Sequence, residues 1–180
     1  VKEPDSAKDL DQIARRLLRA ADVGDRLPTP QDDLIECAEL VKGGMIDLDN
    51  FKESFLKKLG KRGGRVFFEG WSKIKGALAV GDRTIYISAD VHDSQRPFLI
   101  FHEISHGVIP WQRDAYDLFA DDTGCLLPST EALFDSEANY LGGRLIFQCD
   151  RFQTEAKDFS LGIATGIKLA QTFGASYHST

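Results

Sequence analysis

The segment His102-Glu103-Ile104-Ser105-His106 constrains the fold of this chain more than any other feature. On an α-helix, side chains at positions i and i+4 lie one above the other, so the imidazoles of His102 and His106 can reach one divalent metal ion. Glu103 is rotated by about 100° from His102, which removes it from the ligand set and leaves it near enough to hold a water molecule. The pattern requires a helix here and is typical of zinc peptidases.

The residues on either side of this segment favour that helix. Residues 86–88 are predicted to form a strand before it, Ser94 can cap its N-terminus, and Pro97 suits its first turn. Pro110 is predicted to end it. The alternative interpretation is a pair of helical histidines that pack or form hydrogen bonds without a metal.

A catalytic zinc ion normally has three protein ligands, so a third ligand must come from elsewhere in the chain. The second helix that can supply it is predicted to begin at Pro128 and Ser129 and to run to Gln148. On this helix Asp135 and Asn139 are separated by four residues and share one side.

Gly142 lies one turn further along the same side, where it would let another helix backbone approach closely. Asn139 could then form a hydrogen bond with a ligand imidazole. Glu137 lies about 200° around the helix from Asp135, so the two carboxylates cannot bind one metal together. The geometry favours Asp135 as the third ligand and leaves Glu137 as the alternative.

Hydrophobic periodicity predicts an α+β chain with a small antiparallel sheet before the His102 helix. The other predicted helices contain residues 10–18, 34–40, 47–59 and 160–173, and the second of them is expected to close at Gly43 and Gly44. The predicted strands are residues 66–68, 73–80 and 84–88, and the last two are joined by a tight turn at residues 81–82.

Composition narrows the functional classes. The net charge of −6 gives no general electrostatic reason to bind nucleic acid or an anionic membrane. The chain has three cysteines, an odd number, and they are widely spaced at Cys37, Cys125 and Cys149. This pattern argues against a disulfide framework and against a thiolate zinc site. It favours a reducing, cytoplasmic compartment.

The two ends of the chain and its apolar runs bear on targeting. No apolar run approaches the roughly 20 residues that a membrane-spanning helix needs, and the segment from Val1 has no signal-peptide character. The first residue is not Met, and the chain stops where Ser176 could begin a further helix. Both observations predict a trimmed or partial chain.

From His102 to Phe147 the chain resembles the ImmA/IrrE family of metallopeptidases. The shared motifs are an HExxHG run at residues 102–107 and a downstream segment of the form E-x-x-A-N-x-x-A-x-x-L-L at residues 135–146. The resemblance implies a zincin-like fold with one zinc ion. It also implies cleavage of a protein substrate, commonly a transcriptional repressor.

Carried over by position, the resemblance makes His102 and His106 zinc ligands and Glu103 the catalytic base. Asp135 stands where the family usually has a glutamate ligand. Because aspartate is one methylene shorter, either the two helices lie closer together, or Glu137 replaces it, or zinc is bound weakly or not at all. Gly142 and its neighbour Gly143 are compatible with a closer approach.

These observations predict a zinc-dependent endopeptidase with a zincin-like domain at residues 1–152 and a partial, helix-turn-helix-like extension at 153–180. The peptide substrate is expected to lie along the sheet edge at residues 84–88. The alternative is a catalytically decayed zincin-fold sensor or protein-binding module. Direct DNA binding by residues 169–176 is disfavoured by the acidic charge, and the predicted ligands also suit iron, manganese or cobalt.

Overall fold

The computed structural model of the protein describes residues 4–46, 76–79, 83–121, 127–177 and 180, and its fold is mixed α+β. The elements in chain order are α1 (Ala7–Ala20), α2 (Gln31–Cys37), β1 (Val41–Ile46), β2 (Gly76–Ala79), β3 (Thr84–Ser88), α3 (Arg96–Val108), α4 (Pro110–Asp121), α5 (Pro128–Ile146), α6 (Arg151–Ala156) and α7 (Ile163–Phe173). The helix predicted at 47–59, the strand at 66–68 and the turn at 81–82 lie outside the described residues.

The sheet of the described residues has three strands in the order β1-β3-β2. β2 is antiparallel to β3, as predicted, with Ala79 opposite Thr84. β1 is parallel to β3, with Val41 opposite Thr84, so the prediction of a purely antiparallel sheet is wrong.

β1 arises from residues that were predicted to belong to a helix and its end. α2 ends at Cys37 because Glu39 adopts a left-handed conformation with φ of 55°, which redirects the chain into the sheet. The expected helix stop at Gly43 instead lies inside the strand, where the register with β3 shifts between Lys42 and Met45. A Cβ on Gly43 would lie 2.6 Å from the Tyr86 ring, so this close approach of β1 to β3 requires glycine.

The expected position of the substrate changes with this topology. β3 is hydrogen-bonded to β1 on one side and to β2 on the other, so Thr84–Ser88 is the central strand. Its backbone groups already pair with these neighbours and cannot form a ladder with a substrate peptide. The prediction that a peptide lies along this strand is therefore wrong.

The His102 helix forms where it was predicted, with Pro97 in its first turn. Ser94 does not cap it; the N-cap residue is Gln95, without a side-chain cap. Ile109 leaves the helical conformation before Pro110, but the proline also begins the new helix α4. A proline at the first helical position lacks the N–H that has no partner there in any case, so it starts a helix as readily as it ends one.

The core lies between α1, α2, α3, α5 and the sheet. It contains the fully buried side chains Leu10, Leu34, Ile85, Ile104 and Leu141, one from each of these layers. Burial of such side chains is the main stabilising contribution to a domain of this size. The core therefore holds α3 and α5 together and sets the distance between their facing residues.

Ionic and hydrogen-bonding contacts attach α1 to α5, and aromatic contacts attach α7 to the residues that follow α5. Near the N-terminus, Asp11 of α1 accepts a hydrogen bond from the Tyr140 hydroxyl and lies 2.7 Å from Nε of Arg144. Near the C-terminus, the ring of Phe173 contacts those of Phe147 and Phe152.

The predicted boundary between the domain at residues 1–152 and the extension at 153–180 stays a prediction. No helix within the described ranges is both long and apolar enough to cross a bilayer.

Candidate metal centre

The two helices that carry the predicted ligands approach each other at Gly142. A Cβ at this position would lie 3.2 Å from the backbone N of His102 and 3.4 Å from the carbonyl carbon of Phe101. These distances are tighter than most side chains tolerate, so glycine allows α5 to lie directly against α3. The close approach predicted from the sequence is confirmed.

His102, His106 and Asp135 come together at this crossing. The Nε2 atoms of the two histidines are 3.0 Å apart, and Nε2 of His106 lies 3.8 Å from Oδ1 of Asp135. One ligand atom from each of the three residues lies within 4.8 Å of the others. Bonds of 2.0–2.1 Å in a tetrahedral zinc site place ligand atoms about 3.3 Å apart. These three residues, His102, His106 and Asp135, form the metal group. They can hold a metal ion with small movements of their side chains.

The ring of His106 is oriented by Gln112 of α4. The amide nitrogen of Gln112 donates to Oε2 of Glu137 at 2.8 Å and to the carbonyl oxygen of Phe134 at 3.2 Å. Both partners accept, so the amide oxygen must be the atom that lies 2.7 Å from Nδ1 of His106. Nδ1 therefore carries the proton, and Nε2 presents a lone pair to the metal group.

The ring of His102 has a corresponding partner on α5. Oδ1 of Asn139 lies 3.0 Å from Nδ1 of His102, which confirms the contact predicted between Asn139 and a ligand imidazole. When Nδ1 of His102 donates to this oxygen, as Nδ1 of His106 does to Gln112, two unprotonated Nε2 atoms face one another at 3.0 Å. Two lone pairs at this distance repel each other, and a bound cation would remove the repulsion. The donor set thus fits a metal ion.

Burial sets the charge of His102 and His106. Loss of solvent lowers the pKa of His102 to about 4, with a further lowering from His106, while Asp135 and Asn139 act in the opposite direction. Burial likewise lowers the pKa of His106 to about 4, opposed by its hydrogen bond with Gln112. Both rings are therefore neutral at pH 7, the state in which imidazole binds a metal.

The pKa values of the two carboxyl groups near the histidines are raised, whereas those of the histidines are lowered. Burial raises the pKa of Glu103 to about 8, and the charge of Asp135 adds to the increase. Burial also raises the pKa of Asp135, against the effect of His102. A divalent cation at the histidines would lower both values. Glu103 is only 3% exposed, and this loss of hydration is the main cause of its raised pKa.

Glu137, the alternative third ligand, is buried on a different side of α5. Its carboxyl oxygens accept hydrogen bonds from Ser6 Oγ, Trp111 Nε1 and Gln112 Nε2. It is not one of the three residues whose ligand atoms converge. The arrangement therefore supports Asp135 as the ligand and connects Glu137 to His106 through Gln112.

Sequence reasoning missed Gln112 and Trp111 because helix α4 was not predicted. Pro110 carried a usable signal, since proline is favoured at the first position of a helix. No spacing rule could have identified Gln112, because its contact with His106 depends on the angle between α3 and α4. His92 is exposed and does not belong to the group of His102, His106 and Asp135.

The comparisons with protein-family models and with curated proteins gave no match to this chain.

Proposed function

We propose that this chain is a zinc-dependent endopeptidase with a zincin-like fold. The observation that carries the proposal is the convergence of two imidazoles and one carboxylate on one point, with both rings held so that Nε2 faces that point. The sequence resemblance to the ImmA/IrrE family at residues 102–107 and 135–146 supports the same assignment. On that resemblance, the substrate is proposed to be a protein, such as a transcriptional repressor.

In this proposal, His102, His106 and Asp135 hold the zinc ion, and Asn139 and Gln112 fix the two rings. Bound zinc would lower the pKa of a water molecule and polarise the carbonyl of the scissile peptide bond. Glu103 takes the proton of the attacking water and delivers it to the leaving amine. With a cation bound, the pKa of Glu103 would fall below its metal-free value of about 8, so that the side chain can accept a proton as a carboxylate.

The substrate peptide is proposed to bind in an extended conformation beside the sheet. Among the described strands, β1 and β2 flank β3, so an added strand could pair only with one of these two. We also propose a reducing, cytoplasmic compartment, because Cys37 and Cys149 are free thiols.

The proposal is tested with Glu103→Gln. The variant should keep about one zinc ion per chain and lose cleavage of a proteome-derived peptide library, measured by mass spectrometry, by at least 100-fold. Glu36→Gln on the exposed side of α2 is the matched control and should cleave like the wild type. Full activity in Glu103→Gln would contradict the role of Glu103, and loss of zinc together with activity would mean that the glutamate has a different role.

One observation favours a second candidate, a sensor or protein-binding module that keeps the fold without turnover. Asp135 is a short ligand, its side chain is 59% exposed, and its Oδ1 lies further from His106 Nε2 than the second imidazole does. A weakly held third ligand would lower metal affinity. Zinc binding by the wild type without cleavage of any peptide in the library would favour this candidate.

A further inference from the structure

Glu137 is a buried carboxyl group that accepts hydrogen bonds from three side chains, two on α4 and one just before α1. Oε2 accepts from Trp111 Nε1 and from Gln112 Nε2, each at 2.8 Å, and Oε1 accepts from Ser6 Oγ at 2.5 Å. Glu137 is 3% exposed and Gln112 is fully buried, so these contacts do not exchange readily with water. Glu137 is therefore a fixed acceptor at the junction of α5, α4 and the residue before α1.

The orientation of Gln112 follows from this acceptor. An amide side chain can rotate by 180° and present either oxygen or nitrogen to a neighbour. At Gln112 the reversed orientation would place the amide oxygen against Oε2 of Glu137 and the carbonyl oxygen of Phe134, which are acceptors. In the observed orientation, Gln112 donates to both acceptors, and its own Oε1 faces Nδ1 of His106.

We infer that Glu137 and Gln112 are positioning residues for His106, which they hold with the proton on Nδ1 and the lone pair of Nε2 directed at the metal group. The inference rests on the proposed metal function, which it deepens by assigning Glu137 a role outside the ligand set. Without Gln112, the lone pair of His102 Nε2, which lies 3.0 Å from Nε2 of His106, favours the form of the His106 ring that carries its proton on Nε2. A ring whose proton must move from Nε2 to Nδ1 before Nε2 can bind the metal ion has a lower apparent metal affinity.

The same geometry explains why a glutamine should replace Glu137 with little effect. A glutamine at 137 could place its oxygen where Oε2 accepts from Trp111 and Gln112, and its amide nitrogen could donate to the Ser6 hydroxyl. The orientation of Gln112 would persist. A zinc ligand behaves differently, because an amide is a poor replacement for a carboxylate on zinc.

The test compares Gln112→Met, Glu137→Gln and Asp135→Ala with the wild type. Gln148→Met is the matched control, since Gln148 is also buried and donates hydrogen bonds to Arg26 and Thr29, away from the metal group. Two quantities are measured: the protonated nitrogen of His106 in zinc-free protein, from long-range ¹H–¹⁵N spectra, and the zinc Kd, by competition with a chelator.

In the wild type and in Gln148→Met, His106 should carry its proton on Nδ1. Gln112→Met should show this proton shifted towards Nε2 and a zinc Kd weakened by about 10- to 100-fold. Glu137→Gln should keep about one zinc ion per chain, whereas Asp135→Ala should lose it.

Three results would overturn the inference. One is a mixture of His106 forms in the wild type, which decides the matter even if Gln112→Met does not fold. Another is a Gln112→Met protein that matches Gln148→Met in both measurements. The third is loss of zinc in Glu137→Gln, which would make Glu137 a ligand. Absence of peptidase activity changes none of these readouts, so failure of the proposed enzymatic function is distinguished from failure of the positioning role.

Discussion

The Nε2 atoms of His102 and His106 lie 3.0 Å apart, while the Nδ1 atom of each ring faces a side-chain amide oxygen on another helix. Asn139 lies on α5 and Gln112 on α4, so each ring is oriented from outside the helix that carries it. Both rings therefore direct Nε2 at one point. Such preorganisation lowers the cost of assembling a metal site and predicts how the protein responds to metal and to substitution.

Zinc should stabilise the folded protein. At a free zinc concentration about 100 times the Kd, the free energy of unfolding should rise by about 2.7 kcal/mol, which corresponds to an increase in Tm of about 5–10 °C for a chain of this size. Thermal unfolding with zinc and with chelator measures the difference. His92→Ala, at an exposed histidine away from the group, should keep the shift, and His106→Ala should lose it. An equal shift in both variants would place zinc elsewhere.

Asp135→Ala should remove zinc binding because it deletes the third ligand atom of the group. Metal analysis of protein purified without chelators, at matched concentration, gives the zinc content. Asp114→Ala, at an exposed aspartate of α4, is the control and should retain about one zinc ion per chain. Equal zinc content in the two variants would contradict the assignment of Asp135.

Gly142→Ala should force α3 and α5 apart, because the added Cβ would lie 3.2 Å from the backbone N of His102. Overpacking of this kind destabilises a protein by about 1–3 kcal/mol, and the displaced histidine should also bind zinc more weakly. Urea unfolding and chelator competition measure the two effects.

Gly143→Ala is the matched control for this substitution, since a Cβ at Gly143 would have no atom within 4 Å. Alanine is the better helix former, so this variant should be unchanged or more stable by up to about 1 kcal/mol. If both variants behaved alike, the close approach at Gly142 would not limit the packing of the two helices.

In the zinc-free protein, Glu103→Gln should raise the free energy of unfolding above that of the wild type. This difference should be larger at neutral pH than at acidic pH. Burial raises the pKa of Glu103 from 4.5 to about 8, so its contribution to stability is present below pH 4.5 and is lost as pH rises through 8. The uncharged glutamine avoids this loss, and its advantage should be on the order of 3 kcal/mol at pH 7. Urea unfolding in chelator at pH 5 and pH 7.5 measures it.

The histidines affect both proteins equally and provide the internal control. Their pKa values fall from 6.5 to about 4 on folding, so their contribution is present above pH 6.5 and is lost as pH falls towards 4. Both the wild type and Glu103→Gln should therefore lose stability on acidification through this range. A stability difference between the two proteins that does not change with pH would contradict the buried position of Glu103.

Patterns within a single helix could be predicted from the sequence. The spacing of His102 and His106, and that of Asp135, Asn139 and Gly142, follows from the geometry of one helix, which does not depend on the rest of the fold. The close approach at Gly142 and the contact of Asn139 with an imidazole followed from the same rule and are confirmed.

Contacts that depend on the sheet topology or on the angle between two helices were decided by the tertiary structure alone. Residues 41–46 contain two glycines and form a strand because β3 lies beside them, and a parallel partner distant in sequence leaves no local signal. The contact between Gln112 and His106 depends on the angle between α3 and α4, and the burial of Glu137 depends on three segments meeting. Helical periodicity identified residues that could hold a metal ion, whereas only packing between helices could determine which residues orient them.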